Sequence, residues 1–166
     1  MPPPDQAAAV WRGGARARRD WEDLQHDLAA TEPGNGVIGR IATTGQLTTF
    51  SGAGLAGSIT TGPDGNLWFA TGFDQNIGRI TPEGQVTLFP LPQAGTPEDI
   101  VTGADGNLWF TEFAASRIGR IKTSGVIRQT RSKDSIEPEG IASGPDGNIW
   151  FAEFQADAIG ELILPK

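Results

Sequence analysis

The stretch Gly62-Pro63-Asp64-Gly65-Asn66-Leu67-Trp68-Phe69 decides the fold, because its core returns twice. Asp-Gly-Asn recurs at Asp64, Asp105 and Asp146, in steps of 41 residues. Each copy runs into an apolar triplet: Leu67-Trp68-Phe69, Leu108-Trp109-Phe110 and Ile149-Trp150-Phe151. Asp-Gly supplies the positive φ of a tight hairpin, and the run behind it suits a strand. A second motif, Ile-Gly-Arg-Ile, begins at Ile38, Ile77 and Ile118, with the variant Ile-Gly-Glu-Leu at Ile159, in steps of 39, 41 and 41 residues.

A fixed period of this length marks a repeat architecture. Helical repeats of similar length fail on turn chemistry. The Asp-Gly-Asn turn, a short Gly break and a turn such as Thr81-Pro82-Glu83-Gly84 leave segments of only about five or six residues, too short for packed helices. The segments are rich in Ile, Val, Thr, Trp and Phe, which favour strands. In the unit 97–131 the strands are 97–102 (A), 107–112 (B), 117–121 (C) and 126–130 (D). Strand B is continuously apolar, which requires cover on both sheet faces. Blades stacked around an axis provide it. The Trp of each strand B is then the largest contact between blades.

The expected fold is all-β: an incomplete β-propeller arc of four-stranded antiparallel blades over residues 35–166, preceded by a non-repeat segment. A lead C–D pair occupies 37–50, two blades occupy 56–90 and 97–131, and a partial blade occupies 138–166. That makes thirteen strands. Three blades do not close a ring, so open blade edges invite self-association. In one scheme the C-terminal A and B strands pair with the lead C–D pair of a second chain, giving six blades. Residues 1–34 are expected to be either a disordered leader or a short helix from Asp20 through Ala30, with Trp21, Leu24 and Leu28 on one face.

Composition narrows the function. The chain has 166 residues, 23 of them Gly, no Cys and a formal net charge of −7. Gly at about twice the usual share, without a collagen triplet, fits many tight turns. The absence of Cys removes disulfides and thiolate metal sites. Acidic balance and scattered basic residues argue against nucleic acid. The Arg12, Arg16, Arg18 and Arg19 cluster is followed at once by acidic residues and reads as a solvated segment. No run approaches the ~18 apolar residues of a membrane span. No apolar segment follows Met1, so the chain as written is expected in the cytoplasm.

With Trp109-Phe110-Thr111-Glu112, the run Ile77 to Gly84 and Leu88-Phe89-Pro90-Leu91-Pro92 added to the opening motif, residues 35–165 resemble the virginiamycin B lyase (streptogramin lyase) family. The resemblance implies a seven-bladed propeller, of which this chain would supply somewhat less than half. It implies a carbon–oxygen lyase activity: Mg²⁺-assisted elimination at the ester bond of type B streptogramins, an antibiotic-resistance reaction. It also implies site positions. The family carries a catalytic His in strand A, in a Pro-His-x-Ile context, and a second His in the same slot of the neighbouring blade. Those slots hold Glu98 (Pro97-Glu98-Asp99-Ile100) and Glu139 (Pro138-Glu139-Gly140-Ile141). The family's carboxylate slots, taken as Mg²⁺ ligands, fall on Glu137 and Glu153. The one His of the chain, His26, lies outside the repeats.

The exchange matters chemically. Imidazole titrates near neutrality and suits proton abstraction; an ordinary Glu is ionised there and is a weaker base. Crowded carboxylates raise one another's pKa or gather a hard cation. Glu137, Glu139 and Glu153, with Glu98 and Glu112 beside them, are therefore either an acidic cation site or solvated strand-end residues paired with Arg. Three functions stay open: a non-catalytic binding or assembly module with a small-molecule ligand, an active lyase assembled from more than one chain, or a truncated product without independent function.

Other motifs carry less. Asp64, Asp105 and Asp146 read as turn residues, since each loop lacks the several oxygens a Ca²⁺ site needs. Arg40, Arg79 and Arg120 are expected to cover an apolar neighbour and meet a carboxylate. The Gly-rich run 51–57 lacks the Lys and helix of a phosphate loop. Ser and Thr without a nearby His do not make a hydrolase triad.

Overall fold

The computed structural model describes residues 28–32, 36–42, 44–131 and 136–165. They form four antiparallel sheets in chain order. The first holds β1 (Leu28–Glu32), β2 (Val37–Ile41) and β3 (Leu47–Ser51). The second holds β4 (Ile59–Thr61), β5 (Leu67–Ala70), β6 (Asn76–Ile80) and β7 (Val86–Pro90). The third holds β8 (Pro97–Thr102), β9 (Leu108–Glu112), β10 (Arg117–Ile121) and β11 (Ile127–Arg131). The fourth holds β12 (Pro138–Ser143), β13 (Ile149–Glu153) and β14 (Ala158–Leu162). Every sheet is an up-and-down meander, and β4, β8 and β12 lie against one another from sheet to sheet. This is the expected blade arc.

One expectation is corrected. β1 pairs with β2, so the described residues hold fourteen strands, and residues 28–32 belong to the first sheet. The helix read through Ala30 and the leader read through residue 34 therefore give way to a strand at 28–32. The physical reason is that β2 offers a ladder edge, and Leu28–Glu32 satisfies its own backbone groups there. The rest of that leader, with Trp21, Leu24 and His26, lies outside the described residues.

Each Asp-Gly-Asn hairpin turns on a glycine with positive φ, at Gly65, Gly106 and Gly147. The glycine of Ile-Gly-Arg-Ile has another purpose. Phe69 lies opposite Gly78, Phe110 opposite Gly119 and Phe151 opposite Gly160. A Cβ on Gly78 would sit 2.1 Å from the Phe69 ring, so a side chain there would evict it.

Alternation along strand B divides its side chains between two neighbours. Trp68, with Ala70 and Ile77, packs on Ile100, Leu108, Phe110 and Ile121 of the third sheet. Leu67, Phe69 and Ile80 pack on Ile38 of the first. Trp109 and Ile118 meet Ile149 and Leu164. Trp68 and Trp109 are buried, and truncating such a side chain costs about 3–5 kcal/mol. Trp150 faces away from the third sheet and is half-buried.

The arginines of strand C cover aromatics, as expected, and two of them reach carbonyls of the next sheet. Arg79 lies 5.6 Å from both the Trp68 and Phe89 ring centres and donates to the Thr123 carbonyl of the next sheet. Arg40 covers Phe50 and donates to the Pro82 carbonyl. Arg120 lies over Trp109.

Candidate functional site

The inner strands β8 and β12 each carry a bulge. Pro97 pairs with Glu112 and Ile100 with Phe110, so Glu98 and Asp99 oppose Thr111 alone. The same break places Glu139 and Gly140 opposite Ala152, between the Pro138–Glu153 and Ile141–Phe151 pairs. A bulge re-aims the residues it carries. Here it presents Glu98 and Glu139, the two positions singled out in the sequence, as exposed side chains on adjacent sheets.

A polar network fixes the two bulges. Thr111, fully buried, donates its hydroxyl to the Glu139 carbonyl at 2.7 Å and accepts from the Asp99 amide at 3.1 Å. Asp99 accepts from the Ser58 hydroxyl on one oxygen and from the Ile141 amide, at 3.0 Å, on the other. It thus ties the second, third and fourth sheets together. Ser58, Asp99 and Gly140 occupy one repeat slot. Sequence reading passed over Asp99 and Thr111. The signal was available: one slot of the repeat changes from Ser to Asp to Gly.

The structure brings Glu98 and Glu139 within electrostatic reach. Burial, and after it the charge of Glu139, hold the Glu98 carboxyl above its ordinary range. Two like charges side by side disfavour double ionisation. Two carboxylates so placed favour a cationic group beside them.

Glu112 does not join them. It is fully buried, accepts from the Gln129 amide at 2.9 Å on both oxygens and lies 3.7 Å from Arg117. Gln129 also bonds the Gln93 backbone through both its amide atoms. A side chain on Gly95 would collide with the Glu112 carboxylate. Glu112 is therefore the anchor of the connector between β7 and β8, and its place in an acidic cation site is withdrawn. Burial raises its carboxyl, with Gln129 and Arg117 pulling the other way.

Glu137 and Glu153 flank one point of the fourth sheet. The Phe154 amide donates to the Glu137 carbonyl, and Glu153 sits opposite Pro138. The Glu153 carboxylate lies over Gly160. Among the described residues no group of three or more His, Asp or Glu is placed to hold a metal ion. The structure brings the backbones of Glu137 and Glu153 to one point; two carboxylates would suit Mg²⁺ only where the ion keeps several of its own waters.

The Asp-Gly-Asn aspartates are structural. Asp64, Asp105 and Asp146 each accept from the amide two residues on and from the indole of Trp68, Trp109 and Trp150, respectively.

The sequence profile described as "Virginiamycin B lyase family" matches residues 21–164. Among solved structures, the chain is similar to a catalytically inactive histidine-to-alanine variant of virginiamycin B lyase from Staphylococcus aureus with quinupristin. The identity is 36% over 82% of this chain and 48% of that one, with a TM-score of 0.79. A streptogramin B lyase matches at 31% identity over 86% of this chain and 52% of that one, with a TM-score of 0.75. A gluconolactonase from Xanthomonas campestris, 16% identical over 88% of this chain and 57% of that one, shares the fold with a TM-score of 0.70. The chain spans about half the length of these solved relatives. No curated protein sequence matches.

Proposed function

The chain belongs to the virginiamycin B lyase family, and from that membership we propose that it is a non-catalytic member, a propeller segment that binds a small molecule or assembles with further blades. The carrying observation is the Glu98–Glu139 pair, set on two inner bulges where the family resemblance implies imidazoles. A carboxylate pair of this kind lacks a base that is neutral and ready at physiological pH. The relative described as catalytically inactive has lost one histidine, which supports reading the loss of two as disabling. The pair suits a ligand with a cationic or hydrogen-bond-donating group instead.

Mg²⁺ has no step in this reading. Glu137 and Glu153 are the residues that would hold it, and the ion would supply charge stabilisation to a departing oxygen. The rival reading is a Mg²⁺-dependent lyase acting on type B streptogramins with Glu in place of His; the raised Glu98 carboxyl favours it, since a higher pKa makes a better base.

The test is incubation of the chain with a type B streptogramin and Mg²⁺, followed by chromatography. The expected result is intact cyclic antibiotic. A ring-opened product that disappears in Glu139→Ala and in Glu137→Ala would establish the lyase instead.

A further inference from the structure

We infer that Asp99 is the positioning residue of the Glu98–Glu139 pair: it fixes where the bulge carrying Glu139 sits relative to the bulge carrying Glu98. The repeat supplies the first observation. Ser58, Asp99 and Gly140 each fill the second place of an inner-strand bulge. In the third and fourth sheets that place follows Glu98 and Glu139. In the second sheet the Gly57 amide donates to the Ala70 carbonyl at 2.8 Å and the Ala70 amide to the Ser58 carbonyl at 3.0 Å, so Gly57 and Ser58 share the place opposite Ala70. A bulge interrupts the ladder, and the amide that follows it needs an acceptor from elsewhere. The preceding sheet provides one from this slot. Ser58 Oγ stands 3.4 Å from the Ile100 amide, and the longer Asp99 side chain takes the Ile141 amide at 3.0 Å.

Asp99 reaches the Glu139 bulge at two points. After the bulge, its carboxylate holds the Ile141 amide. Within the bulge, the Glu139 carbonyl takes the Thr111 hydroxyl, whose oxygen in turn takes the Asp99 amide. The carboxylate is itself held from the other side: its second oxygen accepts from the Ser58 hydroxyl of the second sheet and, at 2.9 Å, from the Ile100 amide. A carboxylate only accepts, and charge-assisted bonds of this kind are short and strong. Glu98 precedes Asp99 in the same bulge, so the side chain that places Glu139 shares a backbone with Glu98. All these atoms lie in the two seams that join the second, third and fourth sheets. Asp99 touches no ligand in this arrangement; it sets the separation of the two carboxylates that do.

This inference rests on the reading of Glu98 and Glu139 as one site. A ring-opened streptogramin would end the reading of lost catalysis and leave the positioning standing, because the test reads geometry alone. The chain contains no Cys, so nitroxide labels on the full chain carrying Glu98→Cys and Glu139→Cys report a single distance. Dipolar broadening of the spin-label spectrum is expected to give one short, narrow separation. Asp99→Ala, added to the labelled chain, removes the acceptor of the Ile141 amide and is expected to lose that narrow separation to a longer, broader one. Asp99→Ser places in the third sheet the residue that the second sheet carries in this slot, so the fold accepts it. Its shorter side chain is expected to shift the separation in the same direction. Ser58→Ala deletes a bond to the oxygen that the Ile100 amide still holds. It is expected to lower the urea midpoint and leave the label separation unchanged. An unshifted, narrow separation in both Asp99 variants, or an equal broadening in Ser58→Ala, would overturn the inference.

Discussion

The indole of Trp68 donates to the Asp64 carboxylate at 2.9 Å, so the residue that opens each hairpin also clamps the tryptophan four positions later. The bond recurs at Trp109 with Asp105 and at Trp150 with Asp146. It joins local turn chemistry to the packing between sheets. A buried indole N–H without an acceptor is costly, and the turn aspartate supplies one.

Asp64→Ala is accordingly expected to cost about 1–3 kcal/mol, measured as a shift of the urea midpoint at constant slope. Asp146→Ala should cost clearly less, because Trp150 is half-buried and water can replace the lost acceptor. Equal losses at the two sites would contradict the clamp. The effect has a pH signature. Burial lifts the Asp64 carboxyl, but the bonds from Trp68 and Asn66 outweigh it and hold the group below its ordinary range. Its contribution is present above the unfolded-state pKa and is lost as pH falls through the folded one.

Glu112 has the opposite sign. Its carboxyl is raised by burial, so the stability lent by its proton is complete below the unfolded-state pKa and fades as pH rises through the folded value. Glu112→Gln keeps the size and an acceptor for Gln129 while removing the charge. The stability of the variant relative to wild type should therefore grow from pH 4 to pH 8 in urea melts. A constant difference across that range would show that the charge is fully compensated by Gln129 and Arg117.

Much of this architecture was legible from spacing. The period, the turn residues and the continuous apolar strand B led to four-stranded units with Trp68 and Trp109 between them, and the strands over 97–131 start and stop within one residue of the positions read. β1 was not legible. Leu28–Glu32 lacks the Trp-Phe signature, and Ala30 stands opposite Gly39 where the other sheets place Phe. Its strand state comes from the edge of β2, a tertiary cause that no local pattern reports. At the site, the positions of Glu98 and Glu139 were readable but their bulges were not, because a bulge is defined by its partner strand. Glu112 shows the same limit: its motif slot looks identical to that of Glu153, and only Gln129 and Gly95 reveal the first as an anchor.

Thr111 is the residue whose loss should separate fold from site. Thr111→Val keeps the volume and deletes the hydroxyl that joins the Asp99 amide to the Glu139 carbonyl. An expected cost of about 1–3 kcal/mol in urea should come with a smaller influence of Glu139 on Glu98. A variant that loses stability but leaves the Glu98 titration unchanged would show that the bulges hold without this bond.

The most direct measurement is the titration of the Glu98 carboxyl by carbon NMR, in the wild type and in Glu139→Gln. The midpoint should lie above that of an ordinary glutamate, and in Glu139→Gln it should fall part of the way back, the remainder being due to burial. A midpoint that does not move when Glu139 loses its charge would mean that the two carboxylates do not share a site.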